Sequence, residues 1–279
     1  MTAKKIIFLD IDGTLVDYHN QLPASAKQAI QLAQANGHQV YAVTGRSKAE
    51  IYQDILDLGL DGYIGGNGNY IESQGQVVCH QLMSGDQIRQ IVDWLNQRGL
   101  AFYLESNSGL YASASFAVDA EPAVRAYMAG EGQAGAQSVT VAQVFPEMIY
   151  GADLYRDDVN KVSFVLTGSD DLAAARQAFP DLLVGSWGGQ GEEALFGDLA
   201  LAGVNKQTAI ASLLDYLGLD RANSLAFGDA KVDIPMLEYC QVGVAMGSGG
   251  PEIKAMADYV TAGVNEDGLY QAFKHFGLI

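Results

Sequence analysis

Ile6-Ile7-Phe8-Leu9-Asp10-Ile11-Asp12-Gly13-Thr14-Leu15 is the stretch whose reading decides the fold. Four apolar residues run directly into an acidic pair and a glycine. A short continuous apolar run of this kind reads as a strand buried on both faces, as in a parallel sheet. Gly13 permits a sharp exit from that strand. Asp10 and Asp12 then stand at the carboxyl end of a central strand, where open α/β sheets place their ligands. The residues alone also fit an ordinary turn, because Asp and Gly are common turn residues.

The pattern continues outward from this stretch. Pro23 opens a helix with an apolar stripe of Ala26, Ala29, Ile30 and Ala33, closed by Gly37. His38 to Thr44 reads as a second strand. Ser47 with Glu50 forms a capping box for a helix running to about Leu58. The order β-α-β-α is the sign of a doubly wound parallel sheet. Thr44-Gly45-Arg46 stands between that second strand and its helix, where a hydroxyl and backbone N–H groups suit an anion. A plain strand-to-helix turn fits the same residues. Tyr63-Ile64-Gly65-Gly66-Asn67-Gly68 reads either as a backbone approach to a ligand or as a hairpin turn.

Composition narrows the function. The chain has 279 residues, 49% of them hydrophobic, enough for one large domain or two ordinary ones. Its 16 basic and 33 acidic residues give a formal charge of −17. Such a chain is a poor partner for nucleic acid or anionic membranes, so any anion site must be local. Cys79 and Cys240 are too few for a disulfide framework. The four-residue apolar run after Lys5 is too short for a signal or membrane segment, so a cytoplasmic location is expected.

The character changes near Met83. A capped helix over Ser84 to Gly99 is followed by strands at Phe102 to Glu105 and Leu110 to Ser113, then a helix near Pro122 to Met128. A Gly- and Gln-rich loop occupies Gly130 to Ser138. Lys161 to Thr167 and Asp181 to Trp187 read as strands around the helix Asp170 to Ala178. Helices mixed with half-exposed strands suggest a separate α+β unit over 83–192, set into a discontinuous core of 1–82 and 193–279. Afterwards the first pattern returns. Lys206 starts a helix, an unfavourable place for a cation unless an anion sits there. Ser224 to Gly228 is a buried strand ending in Asp229, and Asp233 follows four residues later. Two acids so spaced suit Mg²⁺, which takes hard oxygen ligands. They also suit a loop acid followed by a helix N-terminal acid.

Asp10-Ile11-Asp12-Gly13-Thr14-Leu15, Thr44-Gly45-Arg46, Lys206 and Gly228-Asp229 with Asp233 resemble, in order, the four motifs of the haloacid dehalogenase superfamily. The chain looks like a phosphatase of its Cof-type branch, subfamily IIB. That resemblance implies a Rossmann-like doubly wound core carrying an inserted α/β cap of type C2. It implies a small phosphate ester as substrate, most often a sugar phosphate, and Mg²⁺ as cofactor. By the same resemblance Asp10 is the nucleophile and Asp12 the general acid/base. Thr44, Gly45, Asn67 and Lys206 hold the phosphate, Arg46 either touches it with them or simply pairs on the surface, and Asp10, Asp12, Asp229 and Asp233 hold the metal. Two departures stand out. Val232 replaces the usual Asn before the second acid, and Gly249-Gly250 stands where Asn-Ala is common. Val232 leaves open a weakened, phosphate-binding sensor on the same fold. A sugar phosphomutase is a further alternative, against which the position of the cap argues.

Overall fold

A computed structural model describes residues 4–130, 132, 135–168, 170–188 and 194–279. The chain divides into two compact units. The first comprises Met1–Arg46, Ile51–His80 and Val204–Ile279; the second comprises Ser47–Glu50 and Gln81–Gly203.

Among the described residues the first unit's sheet has eight strands, in the order Tyr259–Val260, Val242–Ala245, Ser224–Gly228, Ile6–Leu9, Gln39–Val43, Gly62–Gly65, Tyr70–Ser73 and Gln76–His80. The first six run parallel, and the last two close an antiparallel edge. The central run Ile6–Leu9 is fully buried because alternate residues face opposite layers. Ile7 and Leu9 join Val40 and Ala42 under Ala29, Ile30 and Phe273, from the helices Ala24–Ala35 and Gly268–His275. Ile6 and Phe8 join Tyr41 and Val43 under Ile210 and Leu213, from the helix Lys206–Leu217. Helices on both faces explain the absence of a polar alternation in this strand.

Register then fixes the site. Leu9 pairs with Phe227 on one side and Ala42 on the other. Asp10, Asp229 and Thr44 therefore leave three adjacent strands at one edge of the sheet, on strands roughly 5 Å apart.

In the second unit the described strands form a six-stranded sheet. Its order is Leu182–Trp187, Phe196–Leu201, Val159–Val165, Phe102–Ser106, Gly109–Ala112 and Met148–Tyr150. All its pairs are antiparallel except the last. Phe102, Leu104, Val162, Phe164 and Leu199 pack one face against Ile88, Ile91 and Leu95 of the helix Gly85–Arg98. That helix has the expected Ser84–Gln87 capping box and a left-handed Gly99.

Three sequence expectations differ here. The helix expected from Ser47 to Leu58 is broken into a 3-10 turn, Lys48–Glu50, and a short helix, Gln53–Leu56. Tyr52 between them is extended, and its ring lies 4.7 Å from the Arg46 guanidinium. That contact, with Glu50 turned back to accept the Ser47 N–H at 2.7 Å, replaces continuous helix. The strand Phe196–Leu201, grouped with the core in the sequence reading, pairs inside the second unit's sheet. The boundary at 192–193 lies outside the described residues, as do 131, 133 and 134 of the expected loop, while Ala136–Ser138 forms a 3-10 turn. Cys79 and Cys240 are free thiols. Among the described residues no helix is long and apolar enough to cross a membrane.

One carboxylate ties the second unit's last helix to its sheet. Asp171 is buried and accepts from the Thr167 N–H (2.8 Å), the Thr167 hydroxyl (2.9 Å), the Gly168 N–H (3.1 Å) and Arg98 (3.0 Å). Burial works against the charge, but these donors outweigh it and hold the carboxyl below the usual range. A depressed folded pKa gives stability that is present above the unfolded value and lost as pH falls through the folded one. Asp171→Ala is expected to cost about 3 kcal/mol at neutral pH. In urea titrations the gap from wild type should close as pH drops below about 4. A gap that is constant with pH would assign the loss to packing alone.

Candidate active site

Three carboxylates meet at the carboxyl edge of the first sheet. Asp10, Asp229 and Asp233 are buried, and each offers an oxygen within 4.8 Å of the others. Asp10 continues its strand, its N–H bonded to the Phe227 carbonyl at 3.0 Å. Asp229 follows Gly228 as the neighbouring strand ends. Asp233 comes from the 3-10 turn Lys231–Asp233, and its Oδ2 accepts from the Asp229 N–H (3.2 Å) and the Ala230 N–H (3.1 Å).

The Lys206 ammonium joins this group from the first turn of its helix. Its Nζ donates to Asp10 Oδ1 at 2.6 Å and to Asp233 Oδ1 at 2.5 Å. Lys206 is itself buried. Burial opposes the ammonium, but the two carboxylates outweigh it and raise its pKa above the ordinary value. Asp10 is also raised well above its usual range, by burial and by the charge of Asp233, against the pull of Lys206. Burial and the charge of Asp233 push Asp229 up to about 6, despite hydrogen bonds from Tyr18 and Thr14. Three carboxylates and one ammonium leave a formal charge of −2 in a buried site. Crowded, buried, all-oxygen donors with that deficit fit a hard divalent cation.

Asp12 is not in this group. Both of its carboxylate oxygens take bonds from Arg46, Nη2 to Oδ1 at 2.5 Å and Nε to Oδ2 at 2.9 Å. The Asp12 carboxylate is therefore taken up by an ion pair and does not join the three clustered acids. Arg46, expected on the phosphate, points its guanidinium at Asp12, at Asn20 Oδ1 (2.8 Å) and at the Tyr52 ring. Burial opposes its charge, but the Asp12 carboxylate outweighs that and raises the guanidinium's pKa.

Thr44 is buried, and its hydroxyl oxygen accepts the Arg46 N–H at 3.1 Å. The Thr44 carbonyl takes the Asn67 N–H at 3.0 Å. Asn67 is left-handed, with φ of 56°, and its buried Oδ1 has no partner. Gly45 lies beside it; a Cβ there would stand 3.2 Å from that oxygen. Thr44, Gly45 and Asn67 thus form one small loop cluster at the edge where Asp10 emerges.

Thr14 and Tyr18 were not among the expected site residues. Thr14 donates to Asp229 Oδ1 at 3.2 Å and Tyr18 to Asp229 Oδ2 at 2.5 Å. Thr14 stands one residue past the acidic pair, after Gly13, which is a usable signal; Tyr18 lies in a polar turn that carries none. Gly13 has φ of +81°, and a Cβ there would fall 2.2 Å from Asp229 Oδ2. The two departures from the family pattern also find places. A Cβ on Gly249 would lie 2.7 Å from the Asp229 carbonyl, so that approach requires glycine. Val232 is 50% exposed, and Asp233 makes the loop's hydrogen bonds without it.

Residues 7–273 match the family model for haloacid dehalogenase-like hydrolases. The chain belongs to that family. YkrA of Bacillus subtilis is 28% identical over 275 residues, covering 99% of this chain and 98% of its own. The 5-amino-6-(5-phospho-D-ribitylamino)uracil phosphatase YcsE of the same species is 27% identical, over 98% of this chain and 96% of YcsE. Among solved structures, the subclass IIB sugar phosphatase BT4131 superposes with a TM-score of 0.77 and 26% identity, over 99% of this chain and 100% of BT4131. This hydrolase therefore carries its acidic cluster on the family's Rossmann-like core.

Lys206 is the electrostatic centre of the cluster, and its removal is testable. A carboxyl whose folded pKa exceeds its unfolded value, about 4, makes the protein less stable as pH rises through that interval. Lys206→Met leaves Asp10 and Asp233 without their cation. Measured by urea unfolding with chelator present, it is expected to lose about 3 kcal/mol at pH near 7.5. The loss should be smaller near pH 5, because the raised Asp10 carboxyl takes up its proton at a higher pH than a free one does. An equal loss at both pH values would show that the Asp10 carboxyl is not raised.

Proposed function

We propose that this hydrolase is a Mg²⁺-dependent phosphatase that removes phosphate from small monoesters, sugar phosphates foremost, through an aspartyl phosphate on Asp10. The observation that carries the reading is the Lys206 ammonium held between Asp10 and Asp233 inside a buried cluster of three carboxylates. Phosphate monoesters resist attack because they are anionic, and their uncatalysed hydrolysis is among the slowest reactions known. Catalysis is therefore mainly charge neutralisation and positioning.

Asp10, Asp229 and Asp233 are the residues that would hold Mg²⁺, which would supply positive charge to the transferring phosphoryl group. Lys206 fixes the Asp10 carboxylate by its Oδ1. In the proposed reaction the other oxygen attacks phosphorus in line, forming the aspartyl phosphate. Thr44 presents a hydroxyl, and the loop of Gly45 and Asn67 presents backbone and amide groups, to the phosphoryl oxygens. Asp12 protonates the leaving oxygen, then accepts a proton from the water that cleaves the intermediate. The inserted second unit is read as the cap that selects among esters, and the reaction is assigned to the cytoplasm.

The sugar-phosphate preference is supported by similarity. BT4131 is described as a sugar phosphatase, and the substrate in the name of YcsE carries its phosphate on a ribityl chain. Both place phosphate on a polyhydroxylated carbon skeleton.

Asp10→Asn is expected to abolish turnover of p-nitrophenyl phosphate, a loss of at least about 1000-fold. Phosphate release from a panel of sugar and cofactor phosphates should vanish with EDTA and return with Mg²⁺. A variant that keeps most of its rate would refute the nucleophile assignment, and release indifferent to EDTA would refute the metal dependence.

A further inference from the structure

The Arg46 side chain is used in a way that the phosphate-binding reading does not explain. Three of its N–H donations go to protein acceptors: both Asp12 oxygens, at 2.5 and 2.9 Å, and Asn20 Oδ1 at 2.8 Å. Its backbone is fixed from both sides. The Arg46 N–H bonds Thr44 Oγ1 at 3.1 Å, and its carbonyl accepts the Gly66 N–H at 2.9 Å. The Tyr52 ring covers the guanidinium, and the side chain is only 17% exposed. A planar fork so anchored fixes the plane of the carboxylate it holds, which a lysine would not do. The Asp12 carboxylate, by contrast, is 37% exposed, and Arg46 donates to both of its oxygens.

We propose that Arg46 is a positioning residue for Asp12, aligning its carboxyl group for proton transfer to the leaving oxygen, rather than a phosphate ligand. The inference rests on the reading of Asp12 as the general acid/base. In the first half-reaction the Asp10–phosphorus bond forms as the phosphorus–oxygen ester bond breaks. The electron pair stays on the leaving oxygen, which takes the Asp12 proton. The negative charge appearing on Asp12 then meets a guanidinium already in place, so no reorganisation is needed. In the second half-reaction water attacks phosphorus and gives a proton back to Asp12.

Leaving-group dependence tests this. The ratio kcat/KM reports only steps up to expulsion of the alcohol, so hydrolysis of the intermediate does not enter it. An alkyl phosphate needs a proton on its leaving oxygen; dinitrophenyl phosphate does not. Arg46→Gln is expected to lower kcat/KM about 100-fold with the alkyl ester and less than about fivefold with dinitrophenyl phosphate. Arg46→Lys, which keeps the charge but not the fork, should show the same selectivity in weaker form. Added guanidinium should restore part of the alkyl-ester rate of Arg46→Gln. Equal losses with both esters, accompanied by a raised KM, would assign Arg46 to the phosphate and overturn the proposal. Asp12→Asn separates the two layers. If it discriminates between the esters and the Arg46 variants do not, the positioning role alone is wrong. If Asp12→Asn does not discriminate, the acid/base reading of Asp12 fails and takes the proposal with it.

Discussion

A buried ammonium shared by two carboxylates, with a third carboxylate beside them, is the constraint on which the first unit depends. Lys206 cannot leave water without partners, and neither can Asp10 or Asp233; each makes the burial of the others tolerable. The arrangement does not neutralise itself. Burial first, and then that residual charge, raise the carboxyls of Asp10 and Asp229. A site built only for stability would have matched the charges or replaced them with apolar side chains, which is often neutral or better. An uncompensated cluster of buried carboxylates instead has the donor chemistry that suits a hard divalent cation.

The sheet makes such a cluster reachable. Asp10 and Asp229 follow directly on fully buried strands whose register aligns their ends. Apolar packing on two faces holds those ends still, so the acids need little support of their own. The helix that supplies Lys206 packs through Ala209, Ile210, Leu213 and Leu214. Its first turn is thereby pinned with the ammonium inside the cluster. Core packing and site geometry are one set of contacts here.

Much of this was legible in the residues, and the reasons are physical. Ile6 to Leu9 read as a doubly buried strand, and Asp10 does emerge at its end. The Ser84–Gln87 and Gly99 caps bound a helix where the structure has one. What the sequence concealed was the work of long-range pairing. Tyr18 on Asp229 spans 211 residues and Asn160 on Ser47 spans 113, and no local pattern foretells either. The capping box at Ser47 misled because Glu50 does reach back to the Ser47 N–H, yet the helix stops after one turn. The strand Phe196–Leu201 was missed for a related reason. Its Gly197 leaves room for the Phe164 ring, and glycine weakens the apparent strand pattern.

The charge of the whole chain sharpens the role of these few cations. At −17 the protein repels phosphate esters at long range, and the ordinary benefit of electrostatic steering is absent. Recognition must then come from groups close enough to act within a Debye length, about 8 Å at physiological salt. At the site described here two cations are in reach of the chemistry, and both already hold carboxylates: Lys206 holds Asp10 and Asp233, and Arg46 holds Asp12. On the proposed reading neither is a spare positive charge for a substrate. The first motif's two acids are thus each assigned a different cation, one buried and one at the surface of the site. On the proposed reading, that division puts the nucleophile and the proton donor in different electrostatic surroundings with one residue between them, which is what two opposite tasks on one ester require.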